Sequence, residues 1–233
     1  MYNNIKALLF DAGRTLNYPR TGNWFFPPNF FEHVEKDVFH SINQQKLEAA
    51  LMKAYQYLDE NHLILSEEEE LQAFNKFYKL LFDSVDEIDI DDDKILAIAK
   101  DTVFNDDKFI FYEDCYEYIP KFKEHYKLGI VSDTWPSLDR VFKSFRLRDY
   151  FDSFVMSSTL GVFKPNEKMY MTALEELDIQ PEEALFIDDS PKNIEGAKAL
   201  GLQAILIVRD GEAIDYDGEY IHNLEELERL LNK

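Results

Sequence analysis

Polar side chains that could act together in catalysis stand at widely separated points of the chain. Three apolar runs end in polar residues, and a lysine precedes a predicted helix; these residues are Asp11, Ser132 with Asp133, Asp188 with Asp189, and Lys164. Facing carboxylates repel one another unless a cation joins them, and their hard oxygen atoms suit Mg²⁺. A carboxylate held beside Mg²⁺ and a lysine can attack an electrophilic phosphorus or carbon and form an ester intermediate.

A single aspartate at the end of a strand is more often a helix N-cap than a catalytic group. The pattern becomes more specific because the carboxyl ends of parallel strands meet at one edge of a sheet. We therefore expect the three carboxylate sites, the hydroxyl of Ser132 and the ammonium of Lys164 to share one crevice. A serine hydroxyl and exposed loop N–H groups could bind phosphate oxygens there.

Five short runs that are apolar on both faces predict buried parallel strands, and helical patterns separate them. A helix pattern after the fourth run has an N-cap serine, a proline at its first position and a glycine at its end. Alternating strands and helices of this kind predict an α/β fold, a doubly wound Rossmann-like parallel sheet. The predicted strands are Lys6–Phe10, Leu128–Ser132, Ser153–Ser157, Ala184–Asp188 and Gln203–Val208.

The segment after the first predicted strand has no strand signal and contains several amphipathic helix patterns. Ser66 and Glu69 form a capping-box pattern before one of them, and Asp91–Asp93 open another. We therefore predict two domains, with residues 1–20 and 108–233 forming the Rossmann-like core and residues 21–107 an inserted helical cap. Such an insert would lie at the end of the sheet where ligands bind in doubly wound folds.

Bulk composition limits the partners. The chain has 233 residues, is 45% hydrophobic and carries a formal charge of -21, with 46 acidic and 25 basic residues. This field repels nucleic acid and anionic membranes, so we expect neither as a partner, and any anion must bind in a local positive pocket. With one cysteine, Cys115, no internal disulfide can form, and no stretch reaches transmembrane length. We expect a soluble cytoplasmic protein, either a monomer or a homodimer.

Four segments together resemble the haloacid dehalogenase (HAD) superfamily, in the subgroup with a helical cap after the first strand, and the resemblance covers essentially the whole chain. They are FDAGRTL, VSDTW, FKP and FIDDSPKNIEGAKALG. The resemblance implies that Asp11 is the nucleophile, that Ser132 binds the phosphoryl group, and that Lys164 orients nucleophile and substrate.

The resemblance also implies a Mg²⁺ site. Asp189 would be a direct ligand beside Asp11, Asp188 would be close or bridged by water, and the backbone carbonyl of Gly13 would complete the set. Asn193 would support this site. The remaining residues expected at the substrate are Arg14, Thr15, Asp133, Thr134 and Trp135.

The residue two after the nucleophile departs from the pattern of the family's phosphatases. There the family has a second aspartate that acts as general acid and base, whereas this chain has Gly13. Loss of a general acid or base typically costs about 10²–10⁴-fold in rate. Arg14 cannot replace it, because a guanidinium stays protonated. His33 and His40 are candidate substitutes, although lone helical histidines are more often structural or exposed.

We interpret the chain as a Mg²⁺-dependent HAD-type phosphatase that acts on a small phosphorylated metabolite through an aspartyl-phosphate intermediate. The acid or base would come from the cap, the substrate or water, or the leaving group would need no proton. One alternative is a haloacid dehalogenase-like or phosphonatase-like hydrolase, since those members also lack the second aspartate. The resemblance implies that the dehalogenases work without metal and lack the Asp188–Asp189 pair, which favours the phosphatase. Another alternative is a phospho-ligand binding protein with little turnover.

Overall fold

The computed structural model of the chain describes residue 2 and residues 4–209 and 216–232. Within these residues eight strands form, six of them in one sheet and the other two in a separate pair. The strands are β1 (Ala7–Phe10), β2 (Asn17–Pro19), β3 (Phe109–Phe111), β4 (Lys127–Ser132), β5 (Ser153–Met156), β6 (Ala184–Asp188), β7 (Gln203–Ile207) and β8 (Tyr220–Ile221).

Eleven α-helices lie between and after the strands of the described chain, together with short 3₁₀ turns at Asp106–Lys108, Arg148–Tyr150 and Pro181–Glu183. The helices are α1 (Phe30–His33), α2 (Lys36–Ser41), α3 (Gln44–Glu60), α4 (Glu67–Phe82), α5 (Asp92–Phe104), α6 (Asp114–Lys123), α7 (Ser137–Ser144), α8 (Ser157–Leu160), α9 (Glu167–Leu177), α10 (Pro191–Ala199) and α11 (Leu224–Leu231).

The main sheet has the strand order β5-β4-β1-β6-β7-β8, and its neighbouring strands run parallel. The chain builds outward from β1 through β4 and β5, then returns to the other side of β1 and builds outward through β6 and β7. The order therefore reverses at β1. In doubly wound sheets the carboxyl end of the strand at this reversal is where ligands bind.

Both faces of the sheet are covered, which explains why its strands are continuous apolar runs. Ala7 and Leu9 share one hydrophobic cluster with residues of α9 and α10, among them Met169 and Ala197. Phe10 lies on the opposite side, where its ring is 6.4 Å from that of Phe122 in α6. Asp11 directly follows this buried strand and remains almost fully buried itself.

The predicted α/β fold is confirmed, and the five predicted strands correspond to β1, β4, β5, β6 and β7. Four ends differ by one residue: β1 begins at Ala7, β4 begins at Lys127, Ser157 begins α8 instead of ending β5, and Val208 lies beyond β7. Sequence patterns did not predict β2, β3 or β8, which have only two or three residues each. At α10, Ser190 occupies the N-cap position and Gly201, with φ +90°, follows the end of the helix.

The chain divides into two compact units, which we name the core unit (Met1–Tyr18 with Ile110–Lys233) and the helical unit (Pro19–Phe109). Aromatic rings fill the interior of the helical unit, for example Phe25, whose ring centroid lies 4.6 Å from that of Tyr55 and 5.3 Å from that of Phe77. The assignment of this unit as a cap over the substrate stays a prediction. No helix in the described parts of either unit is both long and apolar enough to cross a bilayer.

Candidate active site

A buried lysine bridges two aspartates at the carboxyl end of the sheet. Lys164 Nζ lies 2.5 Å from Asp11 Oδ1 and 2.7 Å from Asp188 Oδ2. The three side chains are almost fully buried, with 2% of Lys164, 8% of Asp11 and none of Asp188 exposed. Asp11 directly follows β1, and Asp188 ends the neighbouring strand β6. Parallel pairing of these strands, with Phe10 opposite Ile187, thus brings together residues that are far apart in the sequence.

Asp188 is held from several sides. Its Oδ1 accepts a 2.7 Å hydrogen bond from the Ser190 backbone N–H, and both of its carboxylate oxygens lie 3.1 Å from Asn193 Nδ2. The Tyr170 hydroxyl donates a 3.1 Å hydrogen bond to the backbone carbonyl of Asn193. Asn193, expected as a supporting residue, therefore orients the carboxylate that faces Lys164.

The backbone around Lys164 is also fixed. Its N–H donates a 2.9 Å hydrogen bond to Asp133 Oδ1, so Asp133 supports the lysine from the loop after β4. The next residue, Pro165, packs against α10 at Gly196. A Cβ on Gly196 would lie 2.3 Å from Pro165 Cβ, far inside van der Waals contact. Only glycine allows α10 to approach the Lys164 segment this closely.

The loop after β4 carries the predicted phosphoryl-binding residues. Ser132 ends β4 and is 3% exposed. Thr134 donates a 2.9 Å hydrogen bond from its N–H to Ser157 Oγ, and the Thr134 carbonyl accepts one of 3.2 Å from the Ser158 N–H. Trp135 follows and is partly buried. The start of α8 therefore shapes this loop, which no sequence motif indicated.

The loop between β1 and β2, residues 11–16, closes on itself. The Ala12 carbonyl accepts hydrogen bonds from the N–H groups of Leu16 and Asn17, at 2.8 and 3.0 Å. Arg14 is exposed and has φ +58°, a left-handed conformation that costs an L-residue about 1–2 kcal/mol. Gly13 is not among the described glycines with positive φ, so its backbone does not require glycine.

The electrostatics of the cluster show an excess of negative charge. Burial raises the pKa of Asp11 well above its ordinary value, and although Lys164 opposes this, the charges of Asp188 and Asp189 add to it. Burial, followed by the charge of Asp188, raises the pKa of Asp189 to about 6. Burial by itself would lower the pKa of Lys164, but Asp11, Asp188 and Asp133 together raise it, so the ammonium stays charged.

The same residues provide a test of whether a divalent cation fits. Within the described chain, no group of three or more His, Cys, Asp or Glu side chains is placed so that it could hold a metal ion. Mg²⁺, however, is often bound through only one or two carboxylates and keeps several water ligands. Asp11, Asp188 and Asp189 outnumber the single ammonium beside them and provide only oxygen atoms. The charge and chemistry of these donors therefore fit Mg²⁺.

Sequence reasoning missed Arg209, which follows β7. Its Nε donates a 2.9 Å hydrogen bond to the Thr15 carbonyl in the loop after β1, and its Nη1 lies 2.5 Å from Asp114 Oδ2. The contact with Thr15 spans 194 positions, and neither Arg209 nor Asp114 belongs to a recognisable motif. The one available signal was an arginine at the carboxyl end of a predicted core strand.

The predicted residues of the core unit fall into three groups. Asp11, Lys164, Asp188, Asp133 and Asn193 are connected by the hydrogen bonds described above. Ser132, Thr134 and Trp135 lie along the loop after β4, and Gly13, Arg14 and Thr15 along the loop after β1. The candidate substitute acids lie in the helical unit, where His33 ends α1 and the exposed His40 has its ring centroid 5.6 Å from that of Phe31.

Comparison with known proteins agrees with the motif resemblance. The family model for haloacid dehalogenase-like hydrolases matches residues 32–207, about three quarters of the chain. Among curated relatives, a glyceraldehyde 3-phosphate phosphatase from Methanopyrus kandleri is 27% identical over 88% of this chain and 84% of its own length.

Solved structures share the fold. A 2-haloacid dehalogenase from Pseudomonas syringae aligns with a TM-score of 0.67 at 19% identity, covering 98% of both chains. A HAD family enzyme from Bacteroides thetaiotaomicron, solved with magnesium and inorganic phosphate, aligns with a TM-score of 0.61 at 19% identity, covering 91% of this chain and 98% of its own. At these identities the structures establish the fold.

Proposed function

Because the chain belongs to the haloacid dehalogenase-like hydrolases and is an enzyme of that family, we propose that it is a Mg²⁺-dependent phosphatase for a small phosphorylated metabolite. The observation that carries the proposal is the buried cluster of Asp11, Lys164 and Asp188 at the carboxyl end of the sheet. A lysine between two carboxylates holds one of them ready as a nucleophile and supplies positive charge for the anionic group it attacks.

In the first step an Asp11 oxygen attacks phosphorus, an aspartyl-phosphate bond forms, and the bond from phosphorus to the leaving oxygen breaks. Lys164 and the Ser132 hydroxyl bind phosphoryl oxygens as negative charge accumulates on them. In the second step water attacks the aspartyl phosphate, releasing inorganic phosphate and restoring the Asp11 carboxylate. Asp11, Asp189 and the Gly13 carbonyl, with Asp188 close by, would hold Mg²⁺, which supplies further charge neutralisation when it is bound.

Gly13 restricts which substrates turn over well. It cannot protonate the leaving oxygen or activate water, and the neighbouring Arg14 keeps its proton. The acid and base therefore come from the helical unit, the substrate or water, or the leaving group departs as an anion. Acyl phosphates and phenolic phosphates have such leaving groups, so we expect them to react faster than alkyl phosphates.

The similarity to a glyceraldehyde 3-phosphate phosphatase supports a phosphorylated metabolite as the substrate class. A dehalogenase is the second candidate, favoured by the lack of a carboxylate at Gly13. The acidic pair Asp188–Asp189 favours the phosphatase instead, because the pair would hold a divalent cation and attack on a carbon–halogen bond does not need one.

The test is hydrolysis of an aryl phosphate with Mg²⁺ and with a chelator, comparing wild type with Asp11→Asn, Gly13→Asp and Gly13→Asn. We expect Mg²⁺-dependent turnover that Asp11→Asn abolishes. Gly13→Asp should raise it further by restoring the acid and base, and Gly13→Asn is the matched control of nearly equal shape that cannot exchange a proton.

Asp178→Asn serves as a control for a distant, exposed aspartate and should leave turnover unchanged. The proposal fails if the wild type and Gly13→Asp both lack phosphatase activity with Mg²⁺. Release of halide from a 2-haloacid, unaffected by chelator and lost in Asp11→Asn, would instead establish the dehalogenase.

A further inference from the structure

Arg209 makes contacts that link the nucleophile loop to two helices of the core unit. Its side chain is only 4% exposed. Besides the hydrogen bond to the Thr15 carbonyl and the ion pair with Asp114, its guanidinium stacks 4.3 Å above the ring of Tyr112. Asp114 Oδ2 also accepts a 2.8 Å hydrogen bond from the N–H of Leu224, the first residue of α11.

Stability does not account for this arginine. Its Nη2 is buried and has no hydrogen-bond partner among the residues that the structure describes. A buried donor left without a partner typically costs about 1–3 kcal/mol. Apolar residues of similar volume often stabilise a protein as well as a buried ion pair does, or better. A role in holding another group is therefore the simpler reason for a buried guanidinium here.

The group that it holds is the far end of the loop that begins at Asp11. Asp11 itself is fixed by its N–H, which donates a 2.9 Å hydrogen bond to the Ile187 carbonyl of β6. Between these two anchors the chain passes through Arg14 in its left-handed conformation. A strained residue persists only where the surrounding contacts over-determine it, and the hydrogen bond from Arg209 to Thr15 is one such contact.

We propose that Arg209 is a positioning residue, which fixes the Thr15 carbonyl and thereby the loop that presents Asp11 to the substrate. Asp114 in turn fixes the guanidinium, so the starts of α6 and α11 both help to set the loop. The inference rests on the proposed function of Asp11 as nucleophile. A misplacement of about 1 Å far from the chemistry can cost about 10²-fold in rate, so even a small shift of this loop would be measurable.

The test measures kcat and KM for the aryl phosphate at saturating Mg²⁺ in Arg209→Ala, Arg209→Lys and Asp114→Asn, with thermal unfolding measured in parallel. Arg209→Ala should lower kcat about ten- to a hundredfold while KM changes less than about threefold. The reason is that the substitution disturbs the loop that presents Asp11 and leaves the residues that bind the phosphoryl group in place. Added ethylguanidinium should restore part of kcat in Arg209→Ala, and Arg209→Lys should lie between wild type and Arg209→Ala.

Arg229→Ala is the matched control, since Arg229 is exposed on α11 and forms an ion pair with Glu225 of the same helix. The inference is overturned if Arg209→Ala keeps the wild-type kcat, or if its loss is in KM alone. Should Arg209→Ala fail to fold, an Asp114→Asn variant with unchanged kcat would overturn it equally. Turnover that survives in Asp11→Asn would instead refute the proposed function.

Discussion

Replacing Lys164 with methionine removes the one ammonium within the Asp11–Asp188 cluster and keeps the side chain nearly the same length. The lysine side chain is 2% exposed, and its Nζ also lies 5.6 Å from the ring centroid of Phe186, so water cannot easily take its place. Lys164→Met therefore leaves two buried carboxylates facing each other without a counter-charge.

Removing one partner of a buried ion pair typically costs about 3–5 kcal/mol, because the remaining charge is left buried. Here two carboxylates lose the same partner, at 2.5 and 2.7 Å, so we expect a loss at the upper end of that range. Typical domains have an unfolding free energy of about 5–15 kcal/mol. A loss of about 5 kcal/mol would leave the variant with an unfolding free energy of about 0–10 kcal/mol. The variant should also have no phosphatase activity.

The assay is urea unfolding at pH 8, followed by the fluorescence of Trp135 in a Trp24→Phe background so that the signal reports the core unit. Lys168→Met is the matched control. Its lysine is exposed, and its Nζ donates a 3.1 Å hydrogen bond to the Leu160 carbonyl, so we expect a change below about 0.5 kcal/mol.

Added Mg²⁺ provides a second readout that does not depend on turnover. A cation bound by the carboxylates should raise the unfolding midpoint more in Lys164→Met than in wild type, since the variant lacks the competing ammonium. An unfolding free energy of Lys164→Met within 1 kcal/mol of wild type, measured without Mg²⁺, would refute the burial argument.

Three further predictions concern other positions. A glycine-to-alanine change in an exposed helix stabilises a protein by about 1 kcal/mol. Gly196→Ala should instead destabilise this protein by about 1–3 kcal/mol in urea unfolding, because the added Cβ would overlap Pro165. A gain in stability would refute the close approach. Arg14→Gly should have an unfolding free energy about 1 kcal/mol higher than that of Arg14→Ala, because glycine adopts a positive φ without steric cost. Equal unfolding free energies of the two variants would contradict the strain inferred at this position. Burial lowers the pKa of His62 from 6.5 to about 4, so as the pH falls the unfolded state takes up a proton before the folded state does. The unfolding free energy should therefore decrease between about pH 6.5 and 4, with a loss of about 1–2 kcal/mol at pH 5. This loss should be absent in His62→Gln and unchanged in His40→Gln, a control at an exposed site.

The elements that the sequence predicted well are those with strong local patterns. The main-sheet strands β1, β4, β5, β6 and β7 are short apolar runs. The positions of Pro191 and Gly201 at the two ends of α10 follow from helix-end chemistry. Topology then accounts for the meeting of Asp11 and Asp188, because parallel neighbouring strands end at the same edge. Lys164 lies just before α9, as expected, and its Nζ contacts both carboxylates.

The features that sequence reasoning missed depend on contacts between distant residues. Arg209 reaches Thr15, and Asp114 joins Arg209 to α11, through side chains that local periodicity does not constrain. The left-handed φ of Arg14 was not predicted either, because an arginine gives no sequence signal for this conformation, which glycine adopts most readily. Ser157 was placed in a strand because a serine at a strand end and a serine at a helix start look alike in sequence.

The central position of β1 has a consequence for synthesis of the protein. β1 is made first but pairs with β4 and β6, and Asp11 meets Lys164 only after 153 further residues have been added. At about 5–20 residues per second this takes roughly 8 to 30 s. For most of that time the apolar run of Ala7–Phe10 lacks both of its neighbouring strands, because β4 is made late in the interval and β6 only after it. The intervening helical unit emerges in that interval, so it can collapse while the nascent enzyme is still inactive. Premature termination before β6 would therefore yield a chain whose central, fully buried strand is half unpaired, a substrate for chaperones and proteases.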